Sequence, residues 1–218
     1  MHHAFKFRPM PLTRSIAFPR VAPIVPTARP QPFNHPAWLF EPKYDGFRGM
    51  LYLNRSGCTL HSKRGNLMRR FQDLAEQVRA GLPGREVILD GEIIAIDEEG
   101  RINFWDLMRG RGTLAYAAFD VLWLNGRDLR DLPLARRRWR LERLIPVSAG
   151  TLNRVPCFER EGQELFDAAC RLDLEGISWP SARRMATPWR RRGTRSRTPP
   201  TPRPKAGRSC SSGAKAGV

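Results

Sequence analysis

The sequence predicts an α+β fold, on three observations. Strand-like apolar runs occupy residues 37–63, 86–97 and 114–124, while apolar residues at helical spacing occupy 66–82, 133–145 and 161–172. These segments mix without a strict βαβ repeat, which argues against a doubly wound parallel sheet. The chain has 218 residues, 41% of them apolar, enough for one large domain or two small ones with a real core.

Residues 1–36 hold prolines at Pro9, Pro11, Pro23, Pro26, Pro30, Pro32 and Pro36. So many missing N–H donors predict an extended lead-in that wraps a surface. Residues 48–53 and 58–62 then flank Asn54-Arg55-Ser56-Gly57, a turn signal, and predict a hairpin. From 66 to 82, Leu67, Phe71, Leu74, Ala75 and Val78 recur at helical spacing, closed by Gly81 and Pro83. The next strand, 86–97, carries Asp90-Gly91-Glu92 inside an apolar run. Burying two carboxylates without partners costs several kcal/mol, so they meet a ligand, a metal or a cation. A bulge at a sheet edge with both groups solvated is the alternative.

Residues 104–108 form a short helical turn, and 114–124 a near-continuous apolar strand stopped by Asn125-Gly126. Residues 133–145 predict a basic helix with Leu134, Leu141 and Leu144 inward. Its arginines Arg136, Arg137, Arg138, Arg140 and Arg143 are assigned to a solvated face or to phosphate contact. A last helix, 161–172, places Leu165, Ala168, Ala169 and Leu172 on one side.

The formal charge of +17 points to a polyanionic partner, most simply nucleic acid. It is uneven: eleven Lys and Arg and no acid lie from Ser178 onward, leaving +6 for the rest. Cys58, Cys157, Cys170 and Cys210 show no C-x-x-C spacing and no repeated Cys/His pairing, which argues against a zinc or disulfide framework and fits a reducing compartment. No run is long enough to span a membrane and no secretory core opens the chain, so a cytoplasmic location is expected. There is no internal repeat.

The chemistry concentrates in Phe40-Glu41-Pro42-Lys43-Tyr44-Asp45-Gly46-Phe47-Arg48. A lysine just past an apolar strand suits a nucleophilic amine, because burial and neighbouring charges can depress its pKa. Gly46 allows a sharp turn or close approach to a ligand. Alone, K-x-D-G is equally a surface turn.

Four further stretches change that weighting. Lys43-Tyr44-Asp45-Gly46-Phe47-Arg48, Ser62-Lys63-Arg64-Gly65-Asn66, Leu89-Asp90-Gly91-Glu92, Ala118-Phe119-Asp120-Val121-Leu122 and Leu174-Glu175-Gly176-Ile177 occur in this order. Together they resemble the ATP-dependent DNA ligases, within the covalent nucleotidyltransferases that include RNA ligases and capping enzymes. Lys63 stands where the family usually has arginine. The resemblance implies a nucleotidyltransferase adenylation domain over 37–177, with antiparallel sheets and packed helices, binding ATP and Mg2+ or Mn2+ and acting on nicked double-stranded DNA. By this carry-over Lys43 is the nucleophile. Arg48 and Lys63 contact phosphate or the nick, Glu41 lies near the base, and Phe119 stacks on adenine, the other reading of Phe119 being a core aromatic. Glu92 meets the ribose or a metal and Glu175 a metal, with Asp45, Gly46 and Asp90 in support.

The resemblance breaks after Ile177. The family continues to a lysine that contacts the α-phosphate, then to two more lysines and an OB-fold domain. Here Ser178-Trp179-Pro180-Ser181-Ala182-Arg183-Arg184 follows, and 185–218 reads as a basic, structureless tail. Codons compatible with 178–182, read two bases later, allow Val-Ala-Lys-Arg, and the same frame over 195–206 allows a further lysine motif. The expectation is a chain that leaves its ancestral frame near Ile177 and is impaired in nick sealing. An RNA ligase, a capping-type enzyme, or an inactive basic nucleic-acid-binding remnant are the alternatives.

Overall fold

A computed structural model describes residues 18–19, 21, 31–146 and 150–180. In chain order its elements are β1 (Leu39–Lys43), β2 (Phe47–Asn54), β3 (Gly57–Ser62), α1 (Gln72–Ala80), β4 (Val87–Ile96), α2 (Phe104–Arg109), β5 (Thr113–Leu124), β6 (Arg127–Asp128), α3 (Leu134–Leu144), β7 (Leu152–Arg154), β8 (Phe158–Glu159), α4 (Gly162–Arg171) and β9 (Gly176–Ser178). They make an α+β fold with two sheets. The larger runs β3-β2-β4-β5-β6 with β7 parallel to β5, and the smaller runs β8-β1-β9.

Period-two alternation sorts the large sheet into two faces. Leu51, Leu53 and Leu89 join Leu74, Ala75 and Val78 of α1 in the main core. Met50, Ile88 and Leu122 point the other way, where Phe18 and Val21 of the N-terminal segment pack on them. Phe18 lies 5.9 Å from Tyr52 and 6.2 Å from Trp123, ring to ring. At these two positions the proline-rich segment does cover a sheet face; most of 1–30 falls outside the described residues.

The 47–62 hairpin forms as expected, with Asn54 Oδ1 accepting from the Ser56 and Gly57 amides at 2.8 and 3.2 Å. Asn125 and Gly126, at φ 46° and 83°, turn β5 into β6, a strand the sequence did not suggest. Asn103 caps α2 by accepting from the Trp105 and Asp106 amides.

Three expectations need correction. The helix predicted over 66–82 begins later: Arg69–Phe71 is a 3-10 turn and α1 starts at Gln72, while Leu67 bridges His61 and is exposed. Leu172 lies beyond α4 and is 69% exposed. On α3, Arg137 and Arg138 are not on the solvated face; they are 1% and 5% exposed.

The small sheet encloses a second core. Phe40, Ala169, Ile177 and Trp179 are buried there, flanked by Phe33, Trp38, Leu165, Phe166 and Leu174. Phe33 meets Trp38, Phe40 and Trp179 edge-on at 5.4–5.8 Å between centroids. Defined structure thus continues past the expected boundary at Ile177: Ser178 pairs with Glu41, Trp179 is fully buried, and the Pro180 carbonyl accepts from the Leu39 amide at 3.1 Å. The predicted structureless tail, 185–218, lies outside the described residues, as do 181–184.

Candidate active site

Strand β1 ends at Lys43, with Gly176 of β9 directly opposite. That register brings Glu175 beside the lysine, and the Lys43 Nζ and Glu175 Oε1 atoms form an ion pair. Each side chain is 31% exposed, so the pair sits at the rim and not in the core. The link from β1 to β2 then hugs β4. A Cβ on Gly46 would fall 2.2 Å from the Ile93 carbonyl oxygen, so only glycine fits. Asp45, in the same link, is exposed.

Two residues on, Arg48 faces Glu92 across the β2–β4 ladder. Its Nε donates to Asp90 Oδ1 at 3.0 Å and its Nη2 to Asp90 Oδ2 at 2.7 Å. The other side of the guanidinium stacks over Phe119, 5.2 Å from the ring centroid. Asp90 is 5% exposed in an interior strand, so the edge-bulge reading of Asp-Gly-Glu is wrong and the cation reading is right for Asp90. A register shift does occur here, but β5 carries the extra residue. Asp90 pairs with Asp120 and Gly91 with Ala118, leaving Phe119 out of the ladder. Gly91 makes room for Tyr116, whose Cζ would lie 2.6 Å from a Cβ at that position. Through that gap the Tyr116 hydroxyl donates toward the Gly49 and Leu89 carbonyls at 2.8 and 3.2 Å.

Glu92 shares its surroundings with four charges. Burial pushes its carboxyl up to about 8; Arg48 and Lys43 pull it down, and Asp90 and Glu175 push it further up. Glu41, on the same side of β1 as Lys43, is buried and ion-pairs with Arg138 of α3. Desolvation raises Glu41 to about 7 against the pull of that guanidinium. The contact is a charge pair without aligned hydrogen-bond geometry. Asp120 is held bidentately by Arg137, Nε to Oδ1 and Nη2 to Oδ2, both at 2.8 Å. Lys63 is exposed on the turn after β3, where Ser62 pairs with Gly49, next to Arg48.

The structure therefore brings Lys43 and Glu175, beside the small sheet, to Arg48, Asp90, Glu92 and Phe119 of the large one. Lys63 stands at the neighbouring hairpin end, and Glu41 turns its carboxylate inward toward α3. Clefts of about 490 and 300 Å3 lie elsewhere, against α1, and touch none of these residues. Sequence reasoning missed Tyr116, Asp120, Arg137 and Arg138 as parts of the site's frame. The signal was present for the arginines: they lie three and four residues after Leu134 and before Leu141, on that helix's inner face.

Among the described residues no three metal-ligating side chains converge. Glu92 and Glu175 beside Lys43 nevertheless fit Mg2+, which takes one or two carboxylates and completes its shell with water and substrate phosphates. Lys43 and Arg48 bring positive charge to the same site, and Lys63 is exposed nearby. Among the described residues no helix is long and apolar enough to cross a membrane.

Comparison with known proteins places this arrangement. The chain is 34% identical over 146 residues to the multifunctional non-homologous end joining protein LigD of Pseudomonas aeruginosa, covering 64% of this chain and 17% of that protein. It is 31% identical over 126 residues to a DNA ligase of Pyrobaculum arsenaticum, covering 51% of this chain and 22% of that one. The chain thus spans under a quarter of the length of these curated relatives. Its fold matches the ligase domain of M. tuberculosis LigD with a TM-score of 0.64 at 26% identity, over 77% of this chain and 55% of that one. It also matches a mycobacterial DNA ligase D complexed with ATP and MES, with a TM-score of 0.69 at 24% identity, over 90% of this chain and 60% of that one. The family model described as the ATP dependent DNA ligase domain covers residues 27–178, and this chain belongs to that family.

Proposed function

We propose that this chain carries the nucleotidyl-transfer centre of a nick-sealing, ATP-dependent DNA ligase. The Lys43 Nζ lone pair attacks the α-phosphate of ATP, the bond to the β-phosphate oxygen breaks, and pyrophosphate leaves. AMP remains on Lys43 through a P–N bond. It then passes to a 5′-phosphate at a nick in duplex DNA, and the 3′-hydroxyl displaces AMP to seal the strand. Arg48 and Lys63 offset the charge that develops on phosphate, and Phe119 offers a face to adenine. Glu41 lies near the base end, and Glu92 meets the ribose or shares the divalent cation with Glu175. Bound there, Mg2+ or Mn2+ would neutralise phosphate charge. Asp45, Gly46 and Asp90 hold the loop and Arg48.

The observation that carries this reading is the meeting of Lys43, Glu175, Glu92 and Arg48 at one end of the fold. Incubation with α-labelled ATP and Mg2+ tests it. Label should stay on the denatured protein and vanish in Lys43→Ala. An RNA ligase would prefer nicked RNA in the sealing assay, and a capping-type enzyme would label with GTP. The Pseudomonas aeruginosa relative is named for non-homologous end joining, and on that ground we assign a DNA repair setting and a cytoplasmic location here.

A second reading is favoured by where the family match stops, at residue 178, and by the acid-free basic composition beyond it. We infer a departure from the ancestral reading frame near Ile177, giving a domain layout of 1–36 lead-in, 37–177 adenylation domain and 178–218 out-of-frame tail. It leaves weak sealing or an inactive DNA-binding remnant. The nucleotide sequence of the gene decides it: the shifted frame must encode the lysine motifs and an OB-like extension.

A further inference from the structure

We propose that Arg137 and Arg138 form a two-headed clamp in which consecutive residues of α3 hold the two sheets of the nucleotide site in position, Arg138 through Glu41 on the nucleophile strand and Arg137 through Asp120 on the adenine-stacking strand. The assignment of Lys43 and Phe119 to the nucleotide rests on the function proposed above; the clamp itself rests on contacts.

Adjacent helical residues diverge by about 100°, so neighbours on α3 can reach different elements. Arg137 turns to β5 and takes both oxygens of Asp120 at 2.8 Å, with its Nη1 on the Leu132 carbonyl at 2.5 Å. Arg138 turns to β1 and meets the Glu41 carboxylate. Neither arginine has the exposure expected of a solvated or phosphate-binding face. Burying two guanidinium groups is costly unless their partners are fixed, so each pair constrains where its strand lies. Phe119 is the residue next to Asp120 and is released from the ladder by the bulge, so the Arg137 contact supplies the anchor nearest to it. Lys43 is two residues past Glu41 on a strand whose ladders are short: two pairs with β8 and three with β9.

The clamp also closes a line of charge across the site. Asp90 and Asp120 lie directly opposite on β4 and β5, an arrangement that repels. Arg48 takes one carboxylate and Arg137 the other. Glu41 responds to Asp120 and Asp90 as well as to Arg138, which ties the small sheet into the same line.

The test uses the full chain and two variants, Arg137→Met and Arg138→Met, compared at equal folded fraction set from urea curves. Arg138→Met should slow Lys43 adenylylation at saturating ATP by at least about 10-fold, since displacing a nucleophile by an ångström costs that much or more. Arg137→Met should instead raise the KM for ATP by about 10-fold with the saturated rate little changed, because it loosens the stacking wall. Arg138→Lys, which keeps the charge, should recover part of the rate. Amide hydrogen exchange without nucleotide gives an independent readout: Arg138→Met should speed exchange in 39–43 and spare 117–122, and Arg137→Met the reverse. A parent that takes no label, with variants that show this exchange pattern, overturns the ligase reading and keeps the clamp. Equal loss of rate and affinity in both variants, uniform exchange across both sheets, or no change in either overturns the clamp.

Discussion

The two sheets reach order by different means. In the large one, β4 and β5 pair over ten positions and β2 pairs with β4 over seven, so its middle strands are fixed by long ladders and continuous apolar faces. In the small one, β1 has two pairs on one side and three on the other. It relies on an aromatic cluster, on a buried charge pair, and on Trp179 at the end of the described chain. Lys43 belongs to the weaker of the two, while Arg48, Asp90, Glu92 and Phe119 belong to the stronger. The site is a rigid wall facing a lightly held one.

The largest test of that contrast is Trp179→Ala. Emptying a fully buried indole pocket should cost about 3–5 kcal/mol. It should raise amide exchange in 39–43 and 176–178 before the 47–62 hairpin responds, as urea melts with exchange mass spectrometry would report. If the hairpin opens together with β1, the two sheets are one cooperative unit and the contrast fails.

Gly91→Ala attacks the strong wall. The added methyl meets the Tyr116 ring and the Ala117 carbonyl inside 3 Å, and overpacking of this kind costs about 1–3 kcal/mol. Chemical denaturation should show the loss, with exchange rising across β4 and β5 and not in β9.

The Glu92 carboxyl gives a pH signature of the junction. Its folded value is near 8 and its ordinary value 4.5, so between these the folded chain keeps a proton that the unfolded chain has released. Stability must therefore fall as pH rises through this window, by roughly 3–4 kcal/mol between pH 5 and 8 from this group. Glu92→Gln should flatten that slope in urea midpoints taken at both pH values; an unchanged slope assigns the effect elsewhere. The smallest change is expected at Leu172→Ser, on a 69% exposed side chain, within about 0.5 kcal/mol of the parent in the same assay.

What could be read from the residues divides along the same line. β2, β3, β4 and β5 announced themselves because each buries a face along five or more residues, and period-two patterning needs that length. β7, β8 and β9 are two or three residues long and are made by pairing partners brought from far away, which no local pattern records; β6 pairs locally across Asn125-Gly126, but its two exposed residues carry no apolar alternation. Lys43, Arg48, Glu92, Phe119 and Glu175 were picked out by motif order, and the structure sets them near one another. Arg137 and Arg138 were misassigned because charge was taken to imply solvent; their position relative to Leu134 and Leu141 outweighed their chemistry. Trp179 lay past the point where the family pattern stops, and only its contact with Phe33 and the sheet core brings it inside.

The extra residue in β5 has a consequence for how that strand reads. Before it, Tyr116 and Ala118 face the main core; after it, Val121 does, so the parity of the strand changes partway along. A second skipped position, Leu122, faces the opposite layer with Met50 and Ile88. β5 is in effect three short segments, with the phase changed at Phe119 and changed back at Leu122, where Leu124 again packs on the main core. Insertions and deletions are therefore far more disruptive than substitutions near Phe119, because one residue gained or lost there would move Asp120 off Arg137 and Phe119 off Arg48 together.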